Sequence, residues 1–140
     1  NNRYFRATGK ASSTKDAIAQ SKAEMDARTG LAQQLQTTIH VVTDNYSMDV
    51  QGAHVNEAIE RFETLVREVT NTTLADIRII GQEKYLSEGK YTVYVAMEIK
   101  KAAMYRTMKK LARQDERLSK AALADIERLL DEKIAEAEAD

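Results

Sequence analysis

One run constrains this chain more than any other: small and apolar residues at every fourth position, Ala19, Ala23, Ala27, Leu31, Leu35 and Ile39. That spacing keeps a single stripe on one side of an α-helix, so residues 13 to 42 are expected to form one long helix. At ~1.5 Å per residue it would be about 45 Å long, comparable with the width of a domain this size. The first half of the stripe is alanine, so the backbone of another layer can come close without a deep pocket. Ser13-Thr14-Lys15-Asp16 opens it like a capping box, with Ser13 accepting from N–H groups of the first turn. Gly30 costs roughly 1 kcal/mol relative to alanine inside a helix and marks a place where it can bend. Thr43-Asp44-Asn45 reads as the exit and Gln51-Gly52 as the following loop.

The flanking segments supply what the stripe needs to bury. Arg3 to Ala11 alternates as a strand, placing Phe5, Ala7 and Gly9 on one face and Tyr4, Arg6 and Thr8 on the other. The first set shrinks along its length, which suits a close crossing by the alanine-lined helix. A second helix is expected from Val55 to Val69, with Val55, Ala58, Ile59, Phe62, Leu65, Val66 and Val69 on its apolar side, ending at Asn71-Thr72-Thr73. From Ala75 the period changes to that of strands. Ile77 to Leu86, the turn Ser87-Glu88-Gly89-Lys90, and the strict alternation of Tyr91, Val93, Val95, Met97 and Ile99 read as an antiparallel hairpin. Its second strand carries the cleanest pattern and is expected at the centre of the sheet. Helical periodicity returns after Lys100 with Met104, Met108 and Leu111, and Ala112 to Asp140 continues as helix, so that one or two helices close the chain. The fold class is α+β: a three-stranded, mainly antiparallel sheet packed on a long N-terminal helix (β-α-α-β-β-α), with an extended C-terminal helix. Residues 1–112 form the α+β domain and 113–140 an acidic amphipathic helix.

Composition sets the outer limits. A chain of 140 residues with 43% apolar residues is one domain with an ordinary core. With net charge -1 there is no overall pull towards polyanions, and mean hydropathy of -0.52 comes with no run of 18 apolar residues that would span a membrane. No signal peptide is visible, but the chain begins Asn1-Asn2-Arg3, as a mature or trimmed form would. The absence of cysteine removes disulfides, thiolate metal sites and cysteine nucleophiles, and leaves the redox compartment open.

Three pieces carry a family resemblance. They are Tyr4-Phe5-Arg6-Ala7-Thr8-Gly9-Lys10-Ala11, then Ala23-x-x-x-Ala27-Arg28-x-x-Leu31-Ala32-x-x-Leu35, and the hairpin strand Tyr91-Thr92-Val93-Tyr94-Val95-Ala96-Met97. In this order and spacing, over roughly residues 3 to 100, the chain resembles the LPP-twenty family of bacterial surface lipoproteins, which looks related to the N-terminal domain of flagellar assembly T proteins. The resemblance implies a lipid-anchored domain of the cell envelope, periplasmic or attached to the outer membrane, with the modified cysteine upstream of Asn1. It implies no catalytic residues and no cofactor. Its members look like envelope-associated or assembly proteins, so protein contacts or a structural role are the expected function. The long acidic last helix departs from the family pattern.

The residues themselves offer no reaction centre. His40 and His54 lack the four-residue spacing of a helical metal pair, and exposed or capping roles are the ordinary expectation for both. There is no G-x-S-x-G nucleophile turn, and the five glycines are dispersed, so neither a phosphate loop nor a dinucleotide fingerprint exists. Glu57, Glu60 and Glu63 lie off the apolar stripe of their helix, where solvation explains them. Asn45-Tyr46-Ser47 and Asn71-Thr72-Thr73 match the glycosylation tripeptide, which would matter only in a eukaryotic secreted protein; in a bacterial reading, the one favoured, both are chance matches. No enzyme, metal or cofactor is expected.

Charge is most uneven near the end. Residues 99–114 hold Lys100, Lys101, Arg106, Lys109, Lys110 and Arg113 with no acid, whereas 115–140 hold nine acids against four cations. The basic stretch is the alternative functional reading: a contact surface for an anionic membrane or nucleic acid, the latter not expected as a partner overall. The plainer reading is a solvated face balanced by the acidic segment, the two lying antiparallel within one chain or between two. Leu118, Leu123, Leu129, Leu130 and Ile134 are candidates for self-association if their own fold cannot cover them.

Overall fold

The computed structural model describes residues 3–72 and 76–139. Its elements are β1 (Tyr4–Ser13), α1 (Asp16–Asp49), α2 (His54–Asn71), β2 (Arg78–Ser87), β3 (Lys90–Lys100), α3 (Lys101–Arg113) and α4 (Lys120–Glu138). The class is the expected α+β, with a fully antiparallel sheet in the order β1-β3-β2. β3 is central, as its alternation requires. The β2–β3 hairpin turns on Glu88 and Gly89, whose φ values of 52° and 76° are those of a two-residue turn matching the strand twist.

The alanine stripe does what its spacing demands. Ala19, Ala23, Ala27, Leu31, Leu35 and Ile39 are all buried, and α1 lies across the inner face of β1 and β3 over Phe5, Gly9, Val93, Val95, Met97 and Ile99. The tightest point is Gly9, where an added Cβ would lie 2.0 Å from the Ala23 carbonyl oxygen and 2.5 Å from the Ala27 nitrogen. Beyond the sheet, α2 contributes Ala58, Phe62, Leu65 and Val69 to the same core, and α3 contributes Met104, Tyr105 and Met108. Phe5 meets Tyr105 edge to face, with ring centroids 6.3 Å apart. α4 folds back against α3 and α2 and buries Ala122, Ile126 and Leu130 in that core.

Several boundaries differ from the expectation, each for a local reason. α1 starts at Asp16, and Ser13 accepts from the Lys15 N–H at 3.2 Å ahead of the helix instead of capping its first turn. The helix does not leave at Thr43-Asp44-Asn45 but continues to Asp49, because Thr43 and Tyr46 extend the buried stripe. It is uninterrupted at Gly30, whose added Cβ would lie 2.8 Å from that of Ala7: the glycine serves close packing on β1. The C-terminal segment, open from the sequence between one helix and two, forms two, and the acidic one begins at Lys120 and not at 113. α3 ends at Arg113, the Asp115 carboxylate accepts from the Arg117 N–H, and Ser119 caps α4 by accepting from the Ala122 N–H. Asn45-Tyr46-Ser47 lies within α1. Thr73 and Ala75, and so the end of the Asn71 tripeptide, fall outside the described residues.

Candidate binding surface on the open face of the sheet

α1 occupies one face of β1 and β3, and among the described residues no helix covers the other face. Register places the outward side chains in rows across the strands. Tyr4 lies beside Lys100; Arg6, Glu98 and Arg78 form the next row; then Thr8, Ala96 and Gly81; then Lys10, Tyr94 and Glu83; then Ser12, Thr92 and Tyr85; and last Lys90 beside Ser87. All but Glu98 are exposed or half-exposed. Tyr94 keeps 39% and Tyr85 53% of its surface in water.

Glu98 is the exception because two arginines close over it. It is 3% exposed; Arg6 Nε donates to one carboxylate oxygen at 2.8 Å and Arg78 to the other. The hydrogen bond from Arg6, then that from Arg78, holds the Glu98 carboxyl below the usual carboxylate range against the opposing effect of desolvation. One anion thus organises two cations and leaves the row positively charged. Further along, Lys10 Nζ lies 5.3 Å above the Tyr94 ring and the Arg6 guanidinium 5.4 Å from the Tyr4 ring. Tyr85 meets Tyr94 edge to face at 5.9 Å and donates its hydroxyl to Glu83 at 2.8 Å. Ser12 and Thr92 share a hydrogen bond of 2.9 Å.

The two edges of the sheet are not equivalent. Along β1, Asp26 of α1 accepts from the Lys10 N–H at 3.0 Å and Gln34 donates to the Arg6 carbonyl at 2.5 Å. β2 is exposed over all ten residues. A bulge between Ile79 and Gly81 and the charged Lys84, held by Asp16 at 2.7 Å, blunt it against pairing with another strand.

The basic stretch singled out by charge is in large part engaged. Arg106 pairs with Glu138, Lys109 with Asp131 at 2.8 Å, and Arg113 with Glu127 at 2.7 Å, so α4 lies antiparallel on α3 within the same chain. Glu127 accordingly raises the pKa of Arg113. Lys101 lies 5.2 Å above the Phe5 ring, and Lys100 and Lys110 are exposed. Leu130 is buried, and Leu118, Leu123, Leu129 and Ile134 are half-buried against the core of their own chain.

Two polar clusters escaped the sequence reading, since both join residues far apart in the chain. Asp125 of α4 accepts from the Tyr46 hydroxyl at 2.6 Å and lies 2.9 Å from His54 Nε2. His54 is therefore neither free nor a cap, while His40 remains at the surface, 3.7 Å from Asp44. Burial, followed by the Asp125 hydrogen bond, pushes the Tyr46 hydroxyl well above the usual range. Glu57, expected to be merely solvated, accepts from the backbone N–H and hydroxyl of Ser119 and so ties the start of α4 to α2. These bonds lower the Glu57 pKa. Both clusters are structural joints. Among the described residues, no group of three or more histidine, aspartate or glutamate side chains is placed to hold a metal ion, and no helix is long and apolar enough to cross a membrane.

No known family profile matches the chain, and no curated protein does. Among solved structures it is similar to the secreted protein HP1454 from the human pathogen Helicobacter pylori, with 14% sequence identity and a TM-score of 0.41, over 97% of this chain and 54% of that one. The chain therefore spans about half the length of the structure it matches.

Proposed function

We propose that this chain is a non-enzymatic binding domain of the cell envelope, of the LPP-twenty type, held at the membrane by a lipid on a cysteine upstream of Asn1. The observation that carries the binding role is the one-sided sheet. α1 covers the inner face of β1 and β3, while Arg6, Lys10, Arg78, Tyr85 and Tyr94 are spread over a shallow outer face in contact with water. Arginine and tyrosine are the residues most enriched where proteins make energetically important contacts. A catalytic centre needs polar groups converging in a cleft that excludes water. Here the cavity of ≈ 90 Å³ at the end of α2, lined by Leu31, Val69, Ile77 and Met104 among others, contains one ionisable side chain, Arg28, and in the wider depression between α2 and the 114–117 turn Arg61, Glu68, Asp115 and Arg117 are paired with one another. The envelope location rests on the three motif pieces.

Expression of the full-length gene with an alkyne-palmitate label, followed by fractionation, tests the location. Label in the protein and recovery with membranes are expected; an unlabelled cytoplasmic product would overturn it. The second reading, an anionic contact through residues 100–113, draws its support from Lys100 and Lys110, which stand in solvent.

A further inference from the structure

We propose that the open face of the sheet binds an anionic glycan, a chain of carboxylate-bearing sugars, in the trough that crosses the three strands at Thr8, Ala96 and Gly81. This rests on the reading of the chain as a binding domain and goes beyond it by naming the partner's chemistry. The three floor residues are small and occupy one register row. One wall is the row of Arg6, Glu98 and Arg78; the other is Lys10, Tyr94 and Glu83. Rows two residues apart are ~7 Å from each other along a strand, so the walls stand about 13 Å apart at their Cα positions, over a floor about 10 Å long. Once the wall side chains take their share, the width suits a single extended polymer. An α-helix, ~10–12 Å across with its side chains, is too broad.

Charge selects an anion. Five cations, Arg6, Lys10, Arg78, Lys90 and Lys100, share the face with two acids, Glu83 and Glu98, in a chain whose net charge is -1. Arg6 and Arg78 are steadied by Glu98, and Lys10 by the Tyr94 ring, so each is held in place before a ligand arrives. The hydroxyls of Thr8, Ser12 and Thr92 lie between them, as sugar hydroxyls require. Single-stranded nucleic acid is the poorer fit, because bases bind by stacking on open aromatic faces. Here Arg6 lies over Tyr4, Lys10 lies over Tyr94, and Tyr85 and Tyr94 are engaged with each other edge to face.

The test is titration of the purified chain with polygalacturonate fragments, alongside uncharged dextran, oligodeoxythymidylate and phosphatidylglycerol vesicles, at about 50 mM and about 200 mM salt. Thr8→Tyr fills the floor and leaves every charge in place. A Lys10→Gln, Lys90→Gln double variant removes two cations without baring Glu98. A Lys109→Gln, Arg113→Gln variant is the control on α3, and circular dichroism establishes that each is folded. We expect salt-sensitive binding of polygalacturonate and none of dextran. Affinity should weaken about tenfold or more in both open-face variants and hold in the α3 control. Unchanged affinity in Thr8→Tyr, loss in the α3 control, no binding of polygalacturonate, or tighter binding of the oligonucleotide or the vesicles would each overturn the proposal. The titration is independent of where the protein resides, so its failure is distinguishable from failure of the envelope assignment.

Discussion

Gly9→Ala is the smallest substitution that tests the central packing, because it adds one methyl where two backbones meet. Gly9 is not in the left-handed region of φ, so the position demands space and not conformational freedom. The new Cβ would sit 2.0 Å from the Ala23 oxygen and 2.5 Å from the Ala27 nitrogen, both main-chain atoms that no rotamer change can move. Restoring an ordinary carbon contact of about 3.5 Å requires β1 and α1 to separate by more than ~1 Å. A gap of that size forfeits a quarter to a half of each contact energy along the seam, where Phe5, Ala19, Ala23, Ala27 and Leu31 are buried. The cost belongs at the top of the overpacking range, ~3 kcal/mol, offset by ~0.4–1 kcal/mol from the stiffer unfolded chain. At roughly 4 °C per kcal/mol, the melting temperature should fall by about 10 °C in a thermal scan followed by circular dichroism. Gly30→Ala is the internal comparison: its Cβ meets only the Ala7 methyl at 2.8 Å, and it recovers ~1 kcal/mol of helix propensity. It should cost clearly less. A Gly9→Ala protein that melts within ~2 °C of the parent would refute the close contact of strand and helix.

Ala27→Leu enlarges the helix side of the same seam, where Ala27 has no exposed surface, and should cost about 1–3 kcal/mol in urea unfolding; an unchanged midpoint would place Ala27 in water. Tyr105 is pushed up to about 12 from 10.0, chiefly by burial, so its stabilising effect is complete below pH 10 and is lost as pH rises towards 12. That is about 3 kcal/mol, and a Tyr105→Phe protein should lose less stability over this interval than the parent. Glu98 is held below its usual value of 4.5 by Arg6 and Arg78, so its contribution is present above pH 4.5 and fades as pH falls through the lower folded value. Glu98→Gln should lower the melting temperature at pH 7 and flatten its acid dependence; a parallel acid profile would show that the arginines do not hold the carboxylate. Lys109→Glu should destabilise by less than ~1 kcal/mol, as exposed pairs do, and adding Asp131→Lys should restore the loss if the 2.8 Å pair is formed in solution.

Repeating patterns made part of this fold legible in the chain itself. Four-residue spacing of Ala19 to Ile39 implied a buried helical face, and the alternation of Tyr91 to Ile99 implied a central strand, because side-chain direction follows backbone period in both elements. The shrinking series Phe5, Ala7, Gly9 pointed to the close crossing. The same alternation assigned Tyr4, Arg6 and Thr8, and likewise Thr92, Tyr94 and Glu98, to a second face. Only the tertiary structure determined that this face stays open, since a strand pattern cannot say whether a further layer covers it. The basic and acidic segments after Lys100 allowed folding back or pairing between chains, and the turn at 114–119 brings the two together within this chain. Asp125 with Tyr46 and His54, and Glu57 with Ser119, lay beyond reach for one reason: their energies depend on distances between residues 62 to 79 positions apart, which local sequence does not encode.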